Sequence, residues 1–288
     1  MKNIVVIPNA YKDPGYIYSR RIVTRLCRLG GRVYLAESLR HDFQSSHIHY
    51  YDGEIPEEVE MILVIGGDGS VLDAAAYALG ADLPILGINL GRVGYLAELE
   101  AHEADALARL FSEEYEIKEH ITLGVSLVRN DEEMHLVRSA VNDVVIGQGV
   151  GSSMSEILLE DGVGNQMTYM ADGVIVATPL GSTAYSFSAG GPVVDASLAA
   201  FCVTPICAHS LISRSVLFPP EYTLSVRNDS RRGGEMLVTV DGGEPYILAP
   251  GDCVKVSRSE KVLRMISLKN QSVLGVLRRK MQLLNPQK

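Results

Sequence analysis

Met61-Ile62-Leu63-Val64-Ile65-Gly66-Gly67-Asp68-Gly69-Ser70 is the stretch that decides the fold. Its short apolar run passes directly into the glycines and reads as a strand. A helical pattern follows at Val71, with Leu72, Ala75, Ala76 and Leu79 on its expected apolar face. Strand, glycine turn and helix are thus contiguous, as in a parallel α/β sheet. Ligands of such sheets sit beyond the carboxyl ends of the strands, where glycines let backbone N–H groups approach phosphate oxygens. Asp68 would stand beside such a phosphoryl group, and its carboxylate can accept the proton of an attacking hydroxyl. Taken alone, the turn also fits a plain structural role, with Asp68 bonded to its own backbone and Ser70 and Asp73 forming a capping box. Its spacing is neither that of a P-loop nor that of the dinucleotide fingerprint.

Outward from this turn, short apolar runs alternate with helical spacing: Ile4 to Ile7, Ile22/Leu26/Leu29, Val33 to Leu35, Ile85 to Ile88, and a helix with Ala104, Leu107, Ala108 and Phe111 on one face. The rhythm changes near Glu119. Beyond it, Ile121 to Val128, Ala140 to Ile146, Ser155 to Leu159, Gly173 to Ala177, Tyr222 to Val226, Met236 to Val240 and Val262 to Ile266 read as strands. The expectation is an α/β domain over residues 1–118, a β-rich domain over 119–267, and a tail over 268–288, with Met281 and Leu284 at helical spacing, returning to the first domain. No internal repeat is visible.

Composition narrows the function classes. With 47% hydrophobic residues the chain can bury a sizeable core, and 26 basic against 35 acidic residues give a net charge of −9. Nothing global attracts nucleic acid or an anionic membrane, so an anionic ligand must be met locally. Cys27, Cys202, Cys207 and Cys253 lack CxxC spacing and are too few for a disulfide framework in a chain this long, which predicts a reduced, cytoplasmic setting. The first residues read as a strand ended by Pro8 rather than a signal peptide, and Asp195 and Pro205 interrupt the most apolar long stretch. His47-Ile48-His49, with His41, Asp42 and Asp52 nearby, offers metal-ligand chemistry but reads as a solvated loop. Cys202 and Cys207 read as small core residues, and Arg231-Arg232 as a hairpin tip.

A second motif is Thr178-Pro179-Leu180-Gly181-Ser182-Thr183-Ala184-Tyr185-Ser186-Phe187-Ser188-Ala189-Gly190-Gly191-Pro192, preceded by Asp172 and a buried strand. Pro179 and Gly181 fix a turn, Ser182 and Thr183 supply hydroxyls and N–H groups suited to the polar edge of a purine, and Tyr185 adds a flat face. A helix start with Tyr185 in the core is the competing reading, which Ser186, Ser188 and the glycine pairs fit poorly.

The Gly66 to Gly69 turn resembles the signature shared by NAD kinases, diacylglycerol and sphingosine kinases, and 6-phosphofructokinases. The Thr178 to Pro192 segment resembles NAD kinases specifically. The likeness extends through Gly87 to Leu96, Val141-Asn142-Asp143-Val144-Val145, His209-Ser210-Leu211 with Arg214, and Val240-Asp241-Gly242. The resemblance implies transfer of the terminal phosphate of ATP, or of polyphosphate, to the 2′-hydroxyl of the adenosine ribose of NAD, with Asp68 activating that hydroxyl. It further implies that Gly66, Gly67, Gly69 and Tyr95 line the site. Asn142 and Asp143 would meet the adenosine end of NAD, Asp172 the nicotinamide end, and Thr183, Ala184, Tyr185, Ser186, Phe187 and Ser188 the adenine and nearby ribose. The implied fold joins the α/β domain to a β-sandwich-like domain with the site between them. Implied too is a homodimer or homotetramer in which a neighbour helps complete the pocket. A divalent cation, Mg²⁺, is expected with ATP, held mostly by phosphates and water and not by a dedicated protein cage.

Three positions depart from the family pattern. Asp143 stands where glutamate is usual, one methylene shorter, a loss that a small backbone shift would compensate. Met170 replaces an arginine common in bacterial relatives, and Gly243 a glutamine. Two other readings stay open on sequence: a non-catalytic NAD or NADP sensor, and a lipid or sugar kinase sharing only the Gly66 to Gly69 turn.

Overall fold

A computed structural model describes residues 1–91, 94–136, 139–149, 155–209, 214–230, 234–269 and 274–278. Arg92, Val93, Ser210, Leu211, the Arg231-Arg232 tip and the Met281 and Leu284 positions of the tail lie outside the described residues. The chain forms two compact units, Met1–Glu119 with the chain from Leu263 onward, and His120–Val262.

The first unit is built on β1 (Asn3–Pro8), α1 (Ile17–Arg28), β2 (Arg32–Ala36), β3 (Ile48–Tyr51), β4 (Met61–Gly66), α2 (Asp68–Ala81), β5 (Ile85–Asn89) and β6 (Leu99–Glu100). Its strands pair in parallel in the order β5-β4-β1-β2-β3. Every residue of β4 and β5 is buried, as parallel strands covered on both faces require. The chain runs outward from β1 through β2 to β3, then crosses back to place β4 on the other side of β1. The order therefore reverses between β1 and β4, and the crevice at their carboxyl ends is the switch point where α/β sheets bind ligands.

Three local expectations need correction. Helix α2 starts at Asp68, not Val71, and buries Val71, Ala74, Ala75 and Ala78, while Ala76 is exposed. Alanines and leucines lie all round this helix, so spacing alone selects its buried face weakly. Ala101–Leu110 forms 3-10 turns kinked at Glu103 in place of a regular helix, burying Leu107 and Leu110. The His47 segment is partly strand: His49 lies in β3 and its ring stacks on Tyr34 with centroids 5.2 Å apart. Chain from Leu263 onward completes this unit. Met265 pairs with Ile85, Ile266 and Leu268 enter the core, and the N–H groups of Leu268 and Lys269 each donate to Glu98 Oε1 at 2.7 Å.

The second unit contains β7 (Glu116–Arg129), β8 (Glu132–His135), β9 (Asp143–Gln148), β10 (Ser155–Glu160), β11 (Gln166–Ala171), β12 (Gly173–Ala177), a single helical turn α3 (Tyr185–Ser188), β13 (Phe201–Ile206), β14 (Val216–Phe218), β15 (Leu224–Asn228), β16 (Met236–Val240), β17 (Tyr246–Leu248) and the first part of β18 (Cys253–Ser267). One sheet, β14-β13-β12-β9-β16-β17, is antiparallel throughout. The second layer runs β11-β10-β15-β18, with β7 beside β18. Alternate residues of both layers, among them Val144, Ile146, Val174 and Val176 against Ile157, Leu159, Val226 and Val254, form one core, as in a sandwich. The opposite face of β12 is also covered: Ile175 and Ala177 pack with Cys202, Val145 and Ala189. That second layer of packing carries the Thr178 to Pro192 segment.

Candidate active site

In the first unit, β4 ends at Gly66 because nothing larger fits there. A Cβ on Gly66 would lie 2.3 Å from Ser70 Oγ and 3.2 Å from Asn9 Cβ. Asn9 follows β1, donates its side-chain N–H to Ser70 Oγ at 2.7 Å, and its backbone N–H to Ile65 O at 2.9 Å. The two strand ends that flank the switch point are thereby tied together. Gly67 caps α2, and a Cβ on Gly67 or Gly69 would meet nothing within 4 Å. This helix end is open on the side where its first N–H groups lack intrahelical partners, so it can receive a phosphate. Ser70 is the third residue of α2 and not its N-cap; its hydroxyl accepts from Asn9 and, at 3.4 Å, from the Gly67 N–H.

Asp68 occupies the first turn of α2. Its Oδ2 accepts the Tyr95 N–H at 2.9 Å and its Oδ1 the Leu96 N–H at 2.8 Å. Asp68 and Tyr95, expected at one site, are brought together by these two bonds. The segment holding Tyr95 is itself fixed by buried Asn89, whose Oδ1 accepts the Gly91 N–H at 2.8 Å and whose Nδ2 donates to Glu100 at 2.9 Å. Gly94 passes over that amide with φ of 68°, where a Cβ would come within 2.5 Å of Asn89 Cγ. Half-buried Asp68 is thus a rigidly held carboxylate at the switch point, and each oxygen keeps a lone pair for a further donor.

In the second unit, Asn142 and Asp143 lead into β9, and Thr178 and Gly181 follow β12. Thr178 Oγ1 donates to Val141 O at 2.7 Å and accepts the Gly181 N–H at 2.9 Å, while the Thr178 N–H donates to Asn142 O at 2.9 Å. A Cβ on Gly181 would lie 2.0 Å from Asn142 O, so only glycine lets the loop cross there. Ser182 turns inward, its hydroxyl donating to Pro179 O at 2.6 Å and accepting the Val194 N–H at 3.0 Å. Asp241, just after β16, accepts the N–H groups of Val141, Asn142 and Asp143 at 2.8, 2.7 and 3.1 Å. Asn142 is only 8% exposed, and its Oδ1 has no hydrogen-bond partner. Asp143 is buried, and its carboxyl is pushed up to about 7 by that burial and by the Asp241 charge, against the opposing effect of the Tyr185 N–H bonded to it.

The remaining expected residues divide into two groups. Thr183 and Ala184 are half-buried beside the Asn142–Asp143 turn, and Tyr185, Phe187 and Ser188 are exposed. Ser186 instead points into the core, where its hydroxyl meets Thr204 Oγ1 at 2.9 Å, so its side chain faces away from any ligand on the Tyr185 side. Asp172 is exposed, accepts from Gln148 Nε2 at 2.8 Å and lies at the opposite end of β12 from Asp143, whose partner in the ladder is Ala177. Five strand residues separate those ends, about 17 Å at the usual rise. His209 is exposed and held through its backbone N–H to Met170 O at 2.8 Å. Asp241 falls in the Val240-Asp241-Gly242 motif, whose resemblance assigns it no task; its signal is an aspartate just past a strand end, where a carboxylate meets free N–H groups. No cluster of three or more metal-ligating side chains occurs among the described residues.

Residues 4–116 match the family described as ATP-NAD kinase N-terminal domain, and residues 141–268 the ATP-NAD kinase C-terminal domain. The chain is 34% identical over 282 residues to the NAD kinase of Caldanaerobacter subterraneus subsp. tengcongensis, covering 98% of this chain and 99% of that one. It is 35% identical over 282 residues to the NAD kinase of Symbiobacterium thermophilum, covering 98% and 99%. Among solved structures, yeast NADH kinase complexed with NADH superposes with a TM-score of 0.84 at 23% identity, covering 96% of this chain and 86% of that one. An NAD kinase from Archaeoglobus fulgidus in complex with ATP superposes with a TM-score of 0.72 at 25% identity, covering 100% of both.

Proposed function

The chain belongs to the NAD kinase family, and from that premise we propose how its own residues carry out the reaction. The activity is phosphoryl transfer from ATP to NAD, in which the 2′-hydroxyl of the adenosine ribose attacks the terminal phosphorus and NADP forms. Transfer of this kind asks the protein mainly for positioning and charge stabilisation. The N-terminal end of α2, opened by Gly67 and Gly69, receives donor phosphate oxygens. Asp68 accepts the proton leaving the 2′-hydroxyl, with its bonds to the Tyr95 and Leu96 N–H groups fixing the carboxylate. Asn142 and Asp143 read the adenosine moiety, Tyr185 covers the base, and Asp172 meets the nicotinamide end. The span between Asp143 and Asp172 suits an extended dinucleotide better than a mononucleotide. Ser186 contributes through its backbone and by packing.

A divalent cation, Mg²⁺ first, would neutralise the donor phosphates and would be held mostly by them and by water, without a dedicated protein cage. Asp68 is the acidic group that the glycine turn offers toward it. A homodimer or homotetramer is the expected assembly, and no helix among the described residues is long and apolar enough to cross a membrane.

The observation that carries this reading is the held carboxylate of Asp68 on the open end of α2 at the β1/β4 switch point. Purified protein incubated with ATP, Mg²⁺ and NAD is expected to yield NADP, and a crossed assay of ATP and polyphosphate against NAD and NADH defines donor and acceptor. No NADP under conditions where a control enzyme produces it defeats the reading.

A further inference from the structure

We propose that Asp241 is a positioning residue for NAD recognition, an anchor that locks the Val141–Asp143 turn so that the Asn142 and Asp143 side chains meet the nucleoside in one geometry. The inference rests on the NAD reading above and extends it to a residue with no role in the chemistry.

Successive N–H groups of a strand point alternately to opposite sides. Those of Val141, Asn142 and Asp143 instead converge on one carboxylate, Oδ2 taking the first and Oδ1 the other two. Before β9 the backbone is therefore curled into a nest, a concavity that binds an anion, and here the anion is part of the chain. Asp241 also returns its own N–H to Asp143 O at 3.0 Å. To deliver its carboxylate it takes a left-handed conformation, φ 49°, uncommon for a residue with a side chain but tolerated by aspartate.

The opposite side of the turn is equally occupied. Thr178 binds the carbonyls of Val141 and Asn142, and Gly181 presses against Asn142. All three N–H groups and all three carbonyls of Val141, Asn142 and Asp143 thus have partners within the protein, leaving side chains as the groups free to read a ligand. The orphaned Oδ1 of Asn142 fits that assignment, since a buried acceptor without a donor is costly until one arrives. Asp241 acts on Asp143 in a second way. The influences on the Asp143 carboxyl are its burial, the Asp241 charge, and the Tyr185 N–H. Removing the Asp241 charge lets Asp143 lose its proton at lower pH.

The test is Asp241→Asn, which keeps the shape but replaces part of an acceptor-only carboxylate with N–H donors facing N–H donors. The KM for NAD is expected to rise roughly 10- to 100-fold, the loss typical of charge-assisted hydrogen bonds. KM for ATP and kcat at saturating NAD should stay near wild type, and the Asp143-dependent limb of the pH profile of kcat/KM for NAD should move to lower pH. Asp241→Glu, which keeps the charge but moves it by one methylene, is the second variant should the first not fold: it should raise KM for NAD while leaving that limb in place. Wild-type KM for NAD in either folded variant overturns the proposal. So does a loss shared by kcat, both KM values and melting temperature, which marks a merely structural role. Wild-type protein that phosphorylates no NAD defeats the family reading itself, whereas NAD turnover with an indifferent Asp241 defeats only this inference.

Discussion

Replacing Asp143 by asparagine tests the electrostatics of the Val141–Asp143 turn without touching Asp68. The Asp143 carboxyl is raised from 3.8 to about 7, chiefly by burial and then by the Asp241 charge. Between those two values the folded chain keeps a proton that the unfolded chain has released, so stability falls as pH rises through this window and levels off above it. The full shift corresponds to about 4 kcal/mol, and the part traversed between pH 5 and pH 8 to about 3 kcal/mol. Asparagine has nearly the same shape, can still accept the Tyr185 N–H, and carries no titrating group. Urea denaturation of both proteins at pH 5 and pH 8 reads the contribution of Asp143 together with its coupling to Asp241, since the uncoupled groups cancel in the difference. Relative to wild type, Asp143→Asn should gain about 3 kcal/mol on going from pH 5 to pH 8. A difference between the proteins that is the same at both pH values refutes the reasoning, because Asp143 would then ionise alike in the folded and unfolded chain.

Asp68→Asn should bind NAD with little change and lose kcat roughly 10²- to 10⁴-fold, the usual contribution of a general base, measured by steady-state NADP formation. Wild-type kcat in that variant would remove Asp68 from proton transfer. Gly181→Ala places a Cβ 2.0 Å from Asn142 O. Such overpacking costs about 1–3 kcal/mol, so thermal melting should show a clear drop; an unchanged midpoint would mean the turn has slack. Tyr185 is 46% exposed, so Tyr185→Ala should leave melting unchanged. Its KM for NAD should rise roughly 5- to 100-fold if the ring stacks on the base, and stay at the wild-type value if the ring only covers the loop.

The parallel sheet was legible because its central strands are buried on both faces and therefore appear as unbroken apolar runs, Met61 to Ile65 above all. Strands with only one buried face were harder to read. In β11 only Tyr169 and Ala171 point inward, while Met167 and Met170 are exposed along with Gln166 and Thr168, so the run shows no clear alternation. Strand β13 is disguised by Pro205, which cannot donate to a ladder yet pairs with Val174. Within the site, residues whose chemistry is intrinsic, such as Asp68 and the glycines, could be found by type and spacing. Residues that act by holding others are harder to find: an aspartate just past a strand end signals a carboxylate for free N–H groups, but the sequence does not say that those groups belong to Val141, Asn142 and Asp143. Ser186 shows the converse, a polar residue in a ligand-like motif whose hydroxyl is consumed by Thr204.

That distinction bears on the shorter carboxylate at Asp143. A small backbone shift would restore the reach of the usual glutamate only if the turn could move. Asp241 binds its N–H groups, Thr178 two of its carbonyls, and Gly181 leaves no room behind Asn142. Moving the backbone toward the ligand would break several of these bonds together, a larger loss than one contact to a ribose hydroxyl returns. On the proposed reading, the adjustment comes from the ligand side, through a deeper seat for the nucleoside or a bridging water. A buried carboxyl raised to about 7 is matched to either, because its protonated form can donate a hydrogen bond as well as accept one. On the proposed reading, recognition at this position depends on the protonation of Asp143 as well as on its reach.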